Sequence, residues 1–287
     1  MDRILITGPT GNVGKPLLHH LAHTPRPQLK LLAGLRQQSL SDAGVPEGVE
    51  KIVFDFEDPT TFLPALRQCN RLFLLRPGQI ASTTIMQQVV QATKEAGVQH
   101  IVFLSVQGAD RMKWTPHHKT EALIKESGIA YTFLRPAYFM QNFEGPLLKD
   151  LKDKDRIFLP AGKTPFTIVG VEDVARTAAH VLLQPYTHRN KAYDLTNEEL
   201  LSFEDMAHIF SEVLQRKIVY ESPNLLRFFL QKRKEGVAPG FILIMIALHY
   251  LPRFSAAPQR SAVIQTITGR APAPLREYIL QHATLFG

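Results

Sequence analysis

Cysteine is nearly absent: Cys69 is the only one in 287 residues. That excludes an intrachain disulfide and fits a reducing compartment, the cytoplasm. No His/Cys grouping has zinc-ligand spacing, so no metal centre is expected. His19-His20 and His117-His118 are adjacent pairs whose side chains would point different ways on a helix. Long apolar runs are also missing. The most apolar stretch, Phe241 to Leu251, is about half of what a membrane span needs. It reads as a buried helix or the wall of an apolar pocket, and no membrane partner is expected. The chain opens directly on a strand pattern, so no signal peptide is expected. Internal repeats, low-complexity tracts and a clear linker are all lacking.

What is present suits a globular α/β protein. Hydrophobic residues make up 45% and charged residues 21%. The formal charge is +7. That excess reads either as a solvated basic surface or as a preference for anionic, phosphate-rich ligands. Basic residues are scattered, the only compact run is Lys232-Arg233-Lys234, and no RNA- or DNA-binding motif is found. Nucleic acid is therefore not an expected partner.

The amino-terminal stretch Ile4-Leu5-Ile6-Thr7-Gly8-Pro9-Thr10-Gly11-Asn12-Val13-Gly14 organises the chain. Its apolar start reads as a buried parallel strand. A glycine turn follows, and then Val13, Leu17, Leu18 and Leu21 fall at helical spacing. Gly8 permits the tight turn, Gly11 lets a pyrophosphate approach the backbone, and Gly14 lets helix and strand lie close. The helix start offers free N–H groups and a positive dipole end. The spacing is G-x-x-G-x-x-G, not the G-x-G-x-x-G of standard dinucleotide dehydrogenases.

Short strands and helices then alternate about every 25 to 30 residues, which predicts a doubly wound parallel sheet. Strands are expected at 29–33, 49–54, 72–75, 101–104 and 130–134, with helices at 82–97 and 114–128. A short helix is expected in the polar connection from Gln37 to Gly48. The second strand ends without the Asp or Glu that would bind a ribose 2′-hydroxyl; Arg36 stands there instead. A guanidinium suits a 2′-phosphate and argues for NADP(H); otherwise Arg36 is a surface residue at a strand end. Asp55 and Phe56 follow the third strand, either holding an adenine or only beginning a turn. Asp58 can cap the next helix, with Pro59 in its first turn.

Past Pro136 the pattern loosens. Tyr138 to Phe143 reads either as a cover over the place of a nicotinamide or as a core helix. Further strands are expected at 166–169, 192–195 and 217–220, with helices to about Leu183 and, capped by Ser202, to about Leu214. The remainder is helical and would form a small lid over an apolar cleft. The expected division is a nucleotide-binding domain at 1–155, with return segments at 166–195, and a smaller substrate region at 196–287.

With these residues in hand, the chain resembles the NmrA-like branch of the atypical short-chain dehydrogenases/reductases. Thr7 to Gly14 resembles the family's cofactor loop, and Leu35-Arg36 its strand-two ending. Ser127-Gly128-Ile129-Ala130-Tyr131-Thr132-Phe133-Leu134-Arg135-Pro136 resembles its sixth-strand signature, and Phe139-Met140-Gln141-Asn142 the segment after it. Glu172-Asp173-Val174-Ala175 and Ala192-Tyr193-Asp194-Leu195 match landmarks of the second half. The resemblance implies a Rossmann-type domain, NADP(H) and a variable C-terminal substrate region. It also implies one of two roles: a reductase, or a redox sensor without catalysis.

The chemistry has a gap. Short-chain dehydrogenases use Tyr-x-x-x-Lys, whose tyrosine is a general acid. Here the lysine candidate is Lys119, and Thr115 stands where the tyrosine would be. Ser105 would fill the serine position. The expected function is an NADPH-preferring reductase of a planar, electron-poor molecule such as a quinone. The cofactor set is Gly8, Thr10, Gly11, Asn12 and Val13 at the pyrophosphate, Arg36 at the 2′-phosphate, and Asp55 and Phe56 near adenine. Arg76 and Pro77 would lie along the cofactor, and Pro136, Ala137 and Tyr138 beside the nicotinamide. Lys119 and Ser105 are the catalytic candidates, and His117 or His118 could donate a proton. The alternative is a non-enzymatic NADP(H) sensor whose Lys232-Arg233-Lys234 meets an acidic partner. A homodimer is the assembly to test.

Overall fold

The computed structural model describes residues 2–24, 26, 28–40, 44–78 and 82–287. In chain order the strands and helices begin β1 (Asp2–Thr7), α1 (Gly14–Ala22), β2 (Leu29–Leu35), β3 (Glu50–Val53), α2 (Phe62–Leu66) and β4 (Arg71–Leu75). There follow α3 (Thr83–Glu95), β5 (His100–Leu104), α4 (Pro116–Ser127), β6 (Ala130–Pro136), β7 (Tyr138–Phe139), α5 (Leu148–Lys154) and β8 (Arg156–Phe158). Next come β9 (Phe166–Val169), α6 (Val171–Leu183), α7 (Pro185–His188), β10 (Lys191–Leu195), β11 (Leu200–Leu201), α8 (Phe203–Leu214) and β12 (Val219–Glu221). The chain closes with α9 (Leu225–Lys234), α10 (Pro239–Tyr250), α11 (Val263–Thr268), α12 (Leu275–Gln281) and α13 (Ala283–Phe286).

The chain divides into two compact units. The first is Met1–Pro136, Val171–Leu195 and Val263–Ala271; the second is Ala137–Gly170, Thr196–Ala262 and Pro272–Gly287. In the first unit seven strands form one parallel sheet in the order β10-β6-β5-β4-β1-β2-β3. The expected doubly wound Rossmann-type sheet is therefore present. Its central strands are buried on both faces, which explains their continuous apolar runs: Ile4, Leu5 and Ile6 are fully buried, as are Leu72, Phe73 and Leu74. The chain runs outward from β1 to β2 and β3, then crosses to β4. The crevice between β1 and β4 is thus the switch point where open sheets of this kind take ligands.

Helix α1 buries Leu17, Leu18 and Leu21, as its spacing predicted. Each such side chain contributes about 1.5–3 kcal/mol on burial. Thr7 fastens β1 to β4: its hydroxyl donates to the Phe73 carbonyl and accepts from the Leu75 amide, each at 3.0 Å. The predicted caps are found at Asp58 and at Ser202, the latter in a reciprocal capping box with Asp205, and Ser82 caps α3 as well. In the polar connection a 3-10 turn spans Gln37–Ser39, and residues 41–43 lie outside the described residues.

The second unit has its own apolar core, in which Met140, Phe143, Phe158, Phe203, Phe210 and Phe228 are fully buried. The stretch Tyr138 to Phe143 is not a regular helix: it forms β7 and then a 3-10 turn, with Met140 and Phe143 inside this core. β7 pairs with β9, β9 with β11, and β8 with β12. Helix α10 departs from the reading as a buried helix. Ile242, Met245 and His249 are buried, while Phe241, Leu243, Ile244 and Leu248 are exposed. An all-round apolar sequence does not encode which of its faces is covered. Among the described residues no helix is long and apolar enough to cross a membrane.

Candidate cofactor site

The glycine turn occupies the C-terminal end of β1. Gly8 adopts φ +60°, and a Cβ there would collide with the Leu75 side chain. A Cβ on Gly14 would collide with the Gly8 carbonyl, so helix and turn close to a distance only glycine permits. Gly11 differs. Its one near neighbour would be the Gly8 oxygen at 3.3 Å, leaving the space in front of it open. The turn is held by the Gly11 amide donating to Gly8 O and the Lys15 amide to Gly11 O, both at 3.0 Å. Helix α1 has no side-chain cap and no acidic residue in its first turn. The Lys15 amide is taken by Gly11 O and Pro16 has no N–H, so what the helix start offers a diphosphate is its positive dipole end and the backbone of the turn before it. These features fit a dinucleotide.

Two guanidinium groups follow the C-terminal ends of the strands that flank β1. Arg36 follows β2, is exposed, and among the described residues pairs with no carboxylate. Arg76 follows β4 beside the turn. Its Nε is buried without a partner, and burial pushes its pKa below the usual arginine value. An uncompensated, half-buried cation favours an anionic neighbour. Pro77 is half-buried next to it. Asp55 begins a turn: one carboxylate oxygen accepts from the Glu57 amide at 3.0 Å. The Phe56 ring packs edge-on against Phe54 at 5.2 Å.

The catalytic candidates are placed unequally. Ser105 is buried, and its hydroxyl donates to Glu121 Oε1 at 2.6 Å. The same carboxylate receives Arg135 through Nε at 2.9 Å and Nη2 at 2.6 Å. Sequence reasoning passed over Glu121. The available signal was an acidic residue beside Thr120 and three before Ile124, on the buried stripe of α4. Thr115 caps that helix: its oxygen accepts from the His118 amide while its hydroxyl donates to Met112 O. Lys119 is exposed one turn on. His118 Nδ1 lies 2.8 Å from the Ala109 carbonyl and so carries the proton toward it. Burial, helped by Arg76, pushes His117 down to about 4, so it is neutral at pH 7. A neutral His117 is a poor donor to a product.

Pro136 ends β6 in the first unit, while Ala137 and Tyr138 belong to the second. The Tyr138 ring lies among Phe143, Phe166, Phe203 and His249, and its hydroxyl donates to His249 Nε2 at 3.2 Å. The basic run is corrected: Lys232 is buried and bonded to Asp150 and Glu235, leaving only Arg233 and Lys234 exposed. Among the described residues no metal-holding cluster occurs.

A parallel sheet with an open glycine turn at its switch point defines a nucleotide-binding α/β protein. The profile of the NmrA-like family matches residues 1–231, and the chain belongs to that family. It is 26% identical to the NAD(P)H azoreductase of Xenophilus azovorans, covering 99% of each chain. It is 27% identical to the Citrobacter triphenylmethane reductase crystallised with NADP(H), with a TM-score of 0.83, covering 97% of this chain and 99% of that one. Escherichia coli quinone oxidoreductase 2 is 24% identical over 83% of each chain.

Proposed function

We propose that the chain is an NADPH-dependent reductase of planar, electron-poor organic molecules such as quinones. One observation carries the reading. The open face of Gly11 and the uncapped start of α1 lie at the switch point, with Arg36 and Arg76, which pair with no carboxylate among the described residues, after the two strands that flank β1. Relatives named for azo, quinone and triphenylmethane reduction match most or all of the chain. When bound, the nicotinamide supplies the hydride.

The residues supply position. Gly8, Thr10, Gly11, Asn12 and Val13 hold the diphosphate, and Arg36 selects the 2′-phosphate. Asp55 and Phe56 border the adenine, and Arg76 and Pro77 line the cofactor. Pro136, Ala137 and Tyr138 are assigned to the nicotinamide. Ser105, tied to Glu121, keeps the β5 end rigid. Lys119 is free to approach a ribose or substrate. A quinone accepts hydride without a strong protein acid, so a threonine cap at position 115 is compatible with turnover. Substrate recognition we assign to the mostly helical stretch after residue 196, and the compartment to the cytoplasm. Burial pushes the Cys69 thiol up to about 12, so it does not act as a nucleophile.

The test is NADPH consumption by the purified protein over quinones, azo dyes and enones. Turnover of at least one is expected. Tight NADPH binding with no oxidation by any of them would instead establish the sensor reading.

A further inference from the structure

Among the described residues thirteen large apolar side chains are exposed, and eight of them lie between Leu226 and Phe254. They sit on α9, α10 and the turn after it, elements packed on one another in the second unit. On α10 and that turn, Phe241, Ile244, Leu248 and Leu251 recur at helical spacing, the first three each one residue before buried Ile242, Met245 and His249 and so about 100° round the helix from them. Leu248 is 54% exposed, Leu226 70% and Phe254 74%. Single exposed leucines are ordinary, but a contiguous apolar face marks a surface that is covered in use.

The charge around this face names the cover. From Leu225 to Arg260 the chain carries six Lys/Arg and one acidic residue, Glu235. That carboxylate is already bound to Lys154 and Lys232. Arg233, Lys234 and Arg253 are exposed on these same elements, and so is Arg227, whose guanidinium is paired with Glu221. A second copy would set this basic rim against its own image. Duplex nucleic acid would use the cations and leave the leucines in water. An anionic bilayer satisfies both, taking apolar side chains at the acyl boundary and cations at the headgroups. The helix, twelve residues long, is about 18 Å in length and must lie flat rather than span.

Against the expectation of no membrane partner, we propose that the α9–α10 face docks the protein peripherally on an anionic lipid surface. The docking does not depend on the reductase reading. The full-length protein is sedimented with vesicles of phosphatidylcholine alone and of phosphatidylcholine with equal phosphatidylglycerol. It pellets with the anionic vesicles and less so as salt rises. Ile244→Glu/Leu248→Glu abolishes pelleting; both positions are exposed, so thermal melting stays near wild type. Arg233→Glu/Lys234→Glu lowers the vesicle partition at least about thirty-fold, since each basic residue near an anionic surface contributes about five-fold. NADPH binding, followed by the nucleotide's fluorescence, is unchanged in both variants. The proposal is overturned if wild type fails to pellet with anionic vesicles, or if pelleting survives both double substitutions. It is also overturned by light scattering that shows a dimer which Ile244→Glu/Leu248→Glu splits, for then the face belongs to a second copy.

Discussion

Ser105 and Glu121 share a buried hydrogen bond of 2.6 Å, and the Glu121 carboxylate also binds Arg135 in a two-pronged pair. One acidic side chain on α4 thereby joins the ends of β5 and β6. Breaking a buried ion pair leaves an uncompensated charge and costs about 3–5 kcal/mol. Glu121→Gln is expected to lower the melting temperature sharply. Ser105→Ala removes one hydrogen bond and should cost about 1 kcal/mol, with kcat for a quinone nearly retained. A kcat loss of a hundred-fold or more in Ser105→Ala at unchanged stability would show that the hydroxyl touches substrate.

Arg36 is the residue on which cofactor choice depends. A charged hydrogen-bonded contact contributes about 1.5–3 kcal/mol. Arg36→Ala should therefore weaken NADPH about ten- to a hundred-fold and leave NADH almost unaffected; Arg36→Asp should favour NADH. Dissociation constants for both nucleotides check this. Equal losses for the two would remove Arg36 from the 2′-phosphate.

The glycines of the turn separate binding from folding. A side chain at Gly14 collides with the Gly8 carbonyl, whereas the Cβ of one at Gly11 has only the Gly8 oxygen near it, at 3.3 Å. Gly14→Val should destabilise the fold, measured by thermal melting. Gly11→Val should melt normally and fail to bind NADPH. Normal NADPH affinity in Gly11→Val would contradict the assignment of the turn.

How far the sequence reached follows from the range of the forces involved. β1, the glycine turn, α1 and the caps at Asp58 and Ser202 rest on neighbours a few residues apart, and were legible. The pairing of Lys232 with Asp150 joins residues 82 apart, and nothing local marks either as buried. Ser105 was placed beside the site by position, but its commitment to Glu121 required the packing of α4. The return of α11 to the first unit, far along the chain from the strands it joins, was likewise hidden.

Buried histidines set the acid limit of stability. Burial chiefly pushes His100, His117 and His249 down to about 4. Their unfolded value is about 6.5. Below that pH the unfolded chain binds more protons than the native one, so stability falls as pH drops from about 6.5 toward 4. Each histidine can contribute about 3 kcal/mol of that loss. His249→Phe should flatten the fall in melting temperature between neutral and acid pH. An unchanged slope would show that His249 is not kept neutral by the fold.

The most direct test of the central claim is a calorimetric titration of the wild-type protein with NADPH and, separately, with NADH. Saturable heat with NADPH, at an affinity at least ten-fold above that for NADH, is the expected result. No heat from either nucleotide at millimolar concentration would contradict the account.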